Sequence, residues 1–425
     1  MASLQPVRGT HDLLPDDFAR HAAVIDAARA VSSRYGYREV APPIFEFTEV
    51  FARTMGETSD VVSKEMYSFE DRGGEGITLR PEFTAGICRG VISNGLAQAL
   101  PLRVFANGPV FRYERPQKGR QRQFHQIDIE LIGAPEPRAD IEVIAIAWDI
   151  LNRLGVAGVC RLEVNSLGDP ESRAAYREAL LGYLEPYRGE LSPDSQARLG
   201  RNPLRILDSK VERDREIVAD APQFGSFLGK EATAFWDEVQ DGLTVLGIPF
   251  AVNPRLVRGL DYYTHTAFEF ITEALGAQGA VIAGGRYDGL IEMLGGPSTP
   301  GIGWGGGIER LAMLADRAAT LDRPVALVPL GAEAERRTLA LAHALRQAGL
   351  SVDEAFKGNL SRRLKRANKV GARFAVLLGE DEIAAGRATV RDLDSGAQAE
   401  IAFDDLSAHL TAQLAAVGRA PAGTV

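Results

Sequence analysis

The stretch QFHQIDIELIG, Gln123 to Gly133, leaves little freedom for anything but a β-strand. Side chains on a strand point alternately to its two faces. His125, Ile127, Ile129 and Leu131 then form one face, mainly apolar and suited to a core. Phe124, Gln126, Asp128 and Glu130 form the other, a polar surface with an aromatic at one end, suited to a pocket floor. A second strand-like run, LRVFANGPVFRYE, comes before it, with Arg112 and Glu114 on one face. The two make a hairpin whose connecting loop carries Arg115, Lys118, Arg120 and Arg122. Taken alone, the same residues also suit a solvent-exposed hairpin with a charged tip.

This positive charge sits in a chain of formal net charge −9 and pI near 5.4. Such a balance argues against a general nucleic-acid binder and leaves any polyanion to local basic patches. At 425 residues two or three domains are expected, and 45% hydrophobic with 25% charged residues fits a soluble globular chain. The N-terminal MASLQPVRGTHDLLPDD has no apolar signal region, and no run is long and apolar enough to span a bilayer. Cys88 and Cys160 stand far apart, which excludes a CxxC zinc site or disulfide framework and fits a reducing cytoplasm. The histidines form no HExxH and no close pair, so no dedicated metal site is expected.

The spacing of Phe18, Ala22 and Ile25 predicts a helix over 16–35, with Pro15 at its start and Gly36 as its stop. YREVAPPIFE reads as extended, confined by Pro42 and Pro43 to a sheet edge or interface. Residues from about 170 to 240 are Glu/Arg-rich and helical, an inserted module. Beyond Arg323, VALVPLG, SVDEAF and FAVLLG read as strands, 332–348 and 359–369 as helices, and ATVRDLDSGAQAEIAF as a hairpin. The expected domains are therefore 1–322, containing the insertion, and a small α/β domain at 323–425.

Three further stretches are candidate sites. In TLRPEFTAG, Pro81 holds Arg80 out of helix, and Glu82 beside Thr84 makes a plausible receptor for an ammonium group. An ordinary turn into a helix would serve equally there. RGLDYYTHTAFEF sets Arg258 near Tyr262 and Tyr263, an anion and aromatic-rim site or ordinary strand packing. GIGWGGGIERL contains a formal GxGxxG, but the loop GGPSTP precedes it where a dinucleotide fold needs a strand, so that reading is rejected. Its glycines permit close backbone approach to a flat ligand. Arg310 lies in the first turns of the following helix, where an anion would offset its unfavourable position.

In this order the stretches resemble the signature regions of a class II aminoacyl-tRNA synthetase, specifically the histidyl-tRNA synthetase family. The helix with its APP strand resembles motif 1, FRYERPQKGRQRQFHQ motif 2 and GIGWGGGIERL motif 3, while RGLDYY and AGGRYDGL resemble the two histidine signatures. RGTHDLLP and NPLRILDSK add to the likeness, which runs from about residue 5 to 410. The resemblance implies an α+β catalytic domain on an antiparallel sheet with a helical insertion, a C-terminal α/β anticodon-binding domain, and a homodimer.

It also implies L-histidine, ATP with Mg²⁺ bound to its phosphates, and tRNA(His) as partners. Arg112 and Arg258 would clamp the α-phosphate and the histidine carboxylate, with Glu114 also at the ATP. Arg310 would meet the γ-phosphate and cover the adenine opposite Phe124. Glu82, Thr84 and Gln126 would hold the ammonium, Glu130 and Tyr263 the imidazole, with Tyr262 and Tyr287 lining the pocket. Arg115, Gln117, Lys118, Arg120 and Arg122 would meet the acceptor end of the tRNA. Arg362, Arg363, Lys365, Arg366 and Lys369 would meet the anticodon, with Leu360, Leu364 and Ala367 as the buried stripe beneath them.

Phe83 departs from the glycine of the bacterial pattern, a change that would either narrow the amino-acid pocket or alter which groups hold the ammonium. Trp304 and its following glycines replace aliphatic residues, and Asp128 adds a carboxylate without an assigned role. Two rivals remain in view: a histidine-sensing regulatory paralogue of ATP phosphoribosyltransferase and a plain RNA-binding protein. Such paralogues lack the C-terminal domain and lose the motif arginines, all present here, and RNA binding alone leaves the polar strand faces unexplained.

Overall fold

The computed structural model describes residues 4–55, 61–117, 119–207, 209–257, 262–276, 279–315 and 323–417. The chain divides into two compact units, Met1–Ala319 and Thr320–Val425. In the first, eight strands form one sheet: β1 (Arg38–Glu39), β2 (Leu102–Phe111), β3 (Gln123–Ile132), β4 (Arg161–Ser166), β5 (Phe250–Val252), β6 (Thr264–Ile271), β7 (Ala280–Arg286) and β8 (Gly301–Gly307). Their order is β1-β2-β3-β8-β7-β6-β4-β5, antiparallel except for the outermost pairs β1·β2 and β4·β5.

The alternation in β3 decides which side of this sheet is core. Ile127, Ile129 and Leu131 are enclosed with Val24 and Val31 of the helix Pro15–Arg34, Val143, Ile146 and Ile150 of Pro137–Leu154, and Val239 and Leu243 of Lys230–Val245. The buried stripe of the first helix is Val24, Ala27, Ala28 and Val31, whereas Phe18 is 60% exposed. The spacing of Phe18, Ala22 and Ile25 therefore marks the flank of the helix and not its packed face. Helices over Pro170–Leu184, Pro193–Leu199 and Glu212–Ala219 build a separate core around Tyr176, Leu180, Leu199, Ile206 and Ile217. Helix Lys230–Val245, read from sequence as largely part of that module, instead packs beneath the large sheet through Val239 and Leu243.

AGGRYDGL supplies a tie through the middle of this unit. Arg286, fully enclosed, bonds to Asp140 of the helix Pro137–Leu154, to Asp288, and to the carbonyls of Ala134 and Glu136. Asp140 is equally enclosed. Breaking such a pair from one side leaves an unmatched buried charge.

The second unit carries a five-stranded sheet made of β9 (Val325–Pro329), β10 (Val352–Glu354), β11 (Phe374–Leu378), β12 (Arg387–Asp392) and β13 (Gln398–Ala402), in the order β10-β9-β11-β12-β13. Its first three strands run parallel and the last two form the C-terminal hairpin. Helices Ala332–Gln347, Leu360–Lys369 and Leu406–Val417 complete the unit.

Asp140→Ala is expected to lower the stability of the first unit by about 3–5 kcal/mol. The pair Asp140→Leu with Arg286→Met should recover most of that loss. Denaturant unfolding of both variants checks this, and a double variant no more stable than Asp140→Ala would refute it.

Candidate active site

The face of the sheet opposite the helices holds a cavity of about 270 Å³ lined by Arg112, Phe124, Gln126, Asp128, Arg310 and the TLRPEFTAG residues Glu82 and Thr84, with Tyr262 and Tyr263 opposite. A second hollow, about 840 Å³, shares Arg120, Glu269, Ala280 and Arg310 with it and adds Arg161 and Lys210. Four segments distant in sequence therefore meet at one place.

The glycine-rich GIGWGGG is a strand, β8, running between β3 and β7. In its register with β3, Gly303 lies opposite Glu130 and Gly305 opposite Asp128. A Cβ at Gly303 would collide with the Glu130 carboxylate, and one at Gly301 with the Tyr287 ring. At Gly305 it would lie 3.1 Å from Gln126 Nε2 and 3.3 Å from Asp128 Oδ2. The absent side chains are what let the polar groups of β3 lie flat across the sheet. Trp304 points to the other side, where its Nε1 donates to the Val143 carbonyl at 2.9 Å. It is a core residue.

Glu82 caps the N-terminus of the helix Thr84–Ser93 by accepting from the Thr84 and Ala85 N–H groups, each at 2.8 Å. Burial nevertheless pushes its carboxyl up, and those bonds only partly offset it. Phe83, between the two, does not narrow the pocket: it is buried against Ile87, Ala106 and Val110, with the Arg80 guanidinium 4.1 Å over its ring. Arg80 donates to the carbonyls of Pro109 and Pro42 at 2.9 and 2.8 Å, which fixes the turn against β2.

Asp128 and Glu130 are both buried. No N–H or hydroxyl among the described residues reaches Asp128 Oδ1, Glu130 Oε1 or Gln126 Oε1. The two carboxyls lie on the same face of β3, close enough that each disfavours charge on the other. Burial, with Glu130 and Glu82 nearby, pushes Asp128 well above the usual carboxylate range. Burial pushes Glu130 up to about 8, against the hydrogen bonds from Thr84 and Tyr287. Tyr287 and Glu130, both expected at the pocket, lie beneath the cavity floor, where the Tyr287 hydroxyl donates to the Glu130 carboxyl. The close approach of Gly301 lets the ring sit there. Tyr262 and Tyr263 do line the cavity, with ring centroids 4.6 Å apart.

Arg112 Nε donates to the Pro81 carbonyl at 2.9 Å, next to Glu82, and its guanidinium lies 5.5 Å from the Phe124 ring centroid. Arg120 pairs with Glu114 at 2.7 Å and stands close enough to Arg310 that each raises the other's need for an anion; burial, then Arg120, hold the Arg310 guanidinium below its usual range. The loop turns tightly through backbone bonds between Gln117 and Arg120, leaving Arg115 and Gln117 exposed. Arg122 does not project toward a partner: it stacks 3.7 Å over the Tyr113 ring, and its N–H donates to Gly9 of RGTHDLLP. Arg258 and Lys118 lie outside the described residues.

Sequence reasoning missed Glu309. Its carboxylate accepts from the His125 N–H at 3.0 Å and lies 2.9 Å from His125 Nδ1, tying the helix that carries Arg310 to the start of β3. It missed Glu269 as well, which lines both hollows. A carboxylate alternating with core phenylalanines in AFEF was the available signal.

The family model described as histidyl-tRNA synthetase matches residues 9–168 and 188–311, and that described as anticodon binding domain matches residues 324–413. The histidine–tRNA ligase of Gluconacetobacter diazotrophicus is 60% identical over 410 residues, which cover 96% of this chain and 99% of that protein. The chain belongs to the histidyl-tRNA synthetase family. The histidine–tRNA ligase of Rhodospirillum rubrum is 58% identical, covering 96% and 99% of the two chains. The apo histidyl-tRNA synthetase of S. aureus superposes with a TM-score of 0.82 at 35% identity, over 96% of this chain and 99% of that one. The large antiparallel-centred sheet and the separate C-terminal α/β unit are thus the class II histidyl-tRNA synthetase architecture.

Glu130 gives the empty histidyl-tRNA synthetase pocket a pH signature. Its value of about 8 lies above the 4.5 of an unfolded chain, so the protonated form stabilises the fold. That contribution is complete below about 4.5 and is lost as pH rises through about 8. Glu130→Gln, which keeps the neutral shape, should melt close to wild type at about pH 5 and above it at about pH 9 when ligand-free. Identical melting of the two proteins at both values would remove the buried acid.

Proposed function

We propose that the chain activates L-histidine with ATP to histidyl-adenylate and transfers the histidyl group to the 3′ end of tRNA(His), as its family membership suggests. The observation that carries this reading is one cavity lined both by guanidinium groups, Arg112, Arg120 and Arg310, and by the buried carboxyls Glu82 and Asp128. Adenylation needs both kinds of group at one place. The carboxylate of histidine attacks the α-phosphorus, charge builds on a five-coordinate phosphate, and fixed cations stabilise it.

Arg112 and Arg258 take the α-phosphate and the histidine carboxylate. Arg310, joined by Arg120, takes the γ-phosphate, and Phe124 stacks on the adenine. Mg²⁺ bound to the β and γ phosphates would find oxygen donors of the kind it takes in Glu114 and Glu269. Glu82, Thr84 and Gln126 receive the ammonium. Glu130 and Tyr263 pair with the two ring nitrogens, which rejects apolar analogues by leaving buried groups unpaired, by about 10⁴-fold. The tRNA acceptor end meets Arg115 and Gln117. An apolar groove of about 500 Å³ between Pro42, Pro43, Ile87, Val91 and Leu102 supports pairing of two copies through the motif 1 region. No helix among the described residues is long and apolar enough to cross a membrane, and a cytoplasmic site of action is part of this reading.

In the C-terminal unit, helix Leu360–Lys369 offers the anticodon Arg362, Lys365 and Lys369, all exposed, with Arg366 held by Asp353 at 2.7 Å. Arg363 is withdrawn from that role. It is 4% exposed, donates to the carbonyls of Gly358 and Ala355, and pairs with Glu335. The buried stripe is Arg363 with Ala367, while Leu360 is 37% exposed. The full C-terminal unit together with Arg112 and Arg310 speaks against a histidine-sensing paralogue.

Pyrophosphate exchange into ATP should depend on histidine and on no other amino acid. Arg258→Ala should lower it at least 10²–10³-fold while tRNA affinity is kept; wild-type exchange in that variant would displace the activation site. Replacing Arg362, Lys365 and Lys369 together by Ala should weaken tRNA binding and flatten its logarithmic salt slope by roughly 2–3. Arg363→Ala should instead lower stability. An unchanged slope in the triple variant would move the anticodon contact elsewhere.

A further inference from the structure

Asp128 is a cavity carboxyl to which the reading above gives no task. It is 2% exposed, lines the cavity beside Gln126, and sits with it over Gly305, where the missing side chain leaves both groups open to the hollow. Asp128 Oδ1 and Gln126 Oε1 receive no N–H or hydroxyl among the described residues. A buried acceptor without a donor is costly unless a ligand supplies one. Glu82 stands across the same cavity with both oxygens already engaged by backbone N–H groups. The floor therefore asks for a compact group with several donors and no acceptor. An ammonium has three N–H donors and matches it; an imidazole ring has at most two, set wide apart.

We propose that Asp128 is a specificity-determining residue of the amino-acid pocket, accepting a hydrogen bond from the α-ammonium of the bound amino acid together with Gln126 and Glu82. The inference rests on the histidine-activating reading of the same cavity. The charged groups around Asp128 are Glu130 on its own strand, Glu82 on the facing turn, and Arg80 behind it. Crowding of Asp128 and Glu130 favours a proton on the pair; the arriving ammonium supplies the positive charge instead, and that proton leaves to solvent. Glu130 is then freed as an acceptor for the ring. Asp128 acts by contact with the substrate's amine, and the acyl-transfer chemistry itself does not pass through it.

The test is calorimetric titration of wild type and Asp128→Asn with two histidine analogues, histidinol, which keeps the amine, and imidazole-4-propionate, which lacks it. Pyrophosphate exchange gives KM for histidine and ATP in parallel. A hydrogen bond to a charged group makes the expected loss of histidinol affinity about 10–100-fold, with a matching rise in KM for histidine. Affinity for imidazole-4-propionate and KM for ATP should hold within about 2-fold. Equal loss for both analogues would set Asp128 against the ring, and no loss for either would leave it a structural group. A parallel rise in KM for ATP would mean general distortion of the cavity. Each of these three overturns the proposal. Should Asp128→Asn fold poorly, Asp128→Ser is read by the same criteria. Failure of both analogues to bind wild type would reject the histidine reading itself, a result distinct from wild-type binding that the variant leaves unchanged.

Discussion

The site depends on how closely two strands can approach when one of them carries no side chains on the relevant face. β8 places glycine at 301, 303 and 305, and the space this frees is filled by Tyr287, Glu130, Gln126 and Asp128. A single methyl at Gly303 would occupy the place of the Glu130 carboxylate. The side of the same strand that carries Ile302 and Trp304 packs into the core, so the strand cannot shift to make room. The pocket is therefore a property of the sheet's register, and its polar groups are held by elements too well packed to relax around a misfit.

Electrostatically the cavity is mixed. Burial pushes the carboxyls of Glu82, Asp128 and Glu130 up, the last two further, while Arg112, Arg120 and Arg310 line the same cavity with Glu114 as counter-charge to Arg120. Buried carboxyls and clustered guanidinium groups in one cavity together suit a ligand that carries both positive and negative charge.

Much of this was legible in the order of residues. The alternation of QFHQIDIE separated core from cavity on β3, since a period of two admits only one arrangement once Ile127 and Ile129 must be buried. The C-terminal strands and helices followed from the same kind of pattern. What escaped was set by tertiary neighbours. Phe83 reads as a pocket residue by position, yet the packing of Ile87, Ala106 and Val110 turns it into the core. Arg363 reads as one more exposed cation, yet Glu335 and two carbonyls from outside its helix draw it inward. Arg122 is likewise claimed by Tyr113 and by a glycine more than a hundred positions away. Glu309 has no local signal, because its importance lies in the backbone it reaches.

That last contact has a mechanical reading. A single carboxylate grips the main chain of His125, and the residues on either side of it, Phe124 and Gln126, both line the cavity. The arginine next to the grip, Arg310, is on the same short helix. The helix that carries Arg310 and the strand that carries Phe124 and Gln126 are thus fastened side chain to main chain at this one point, with no loop between them.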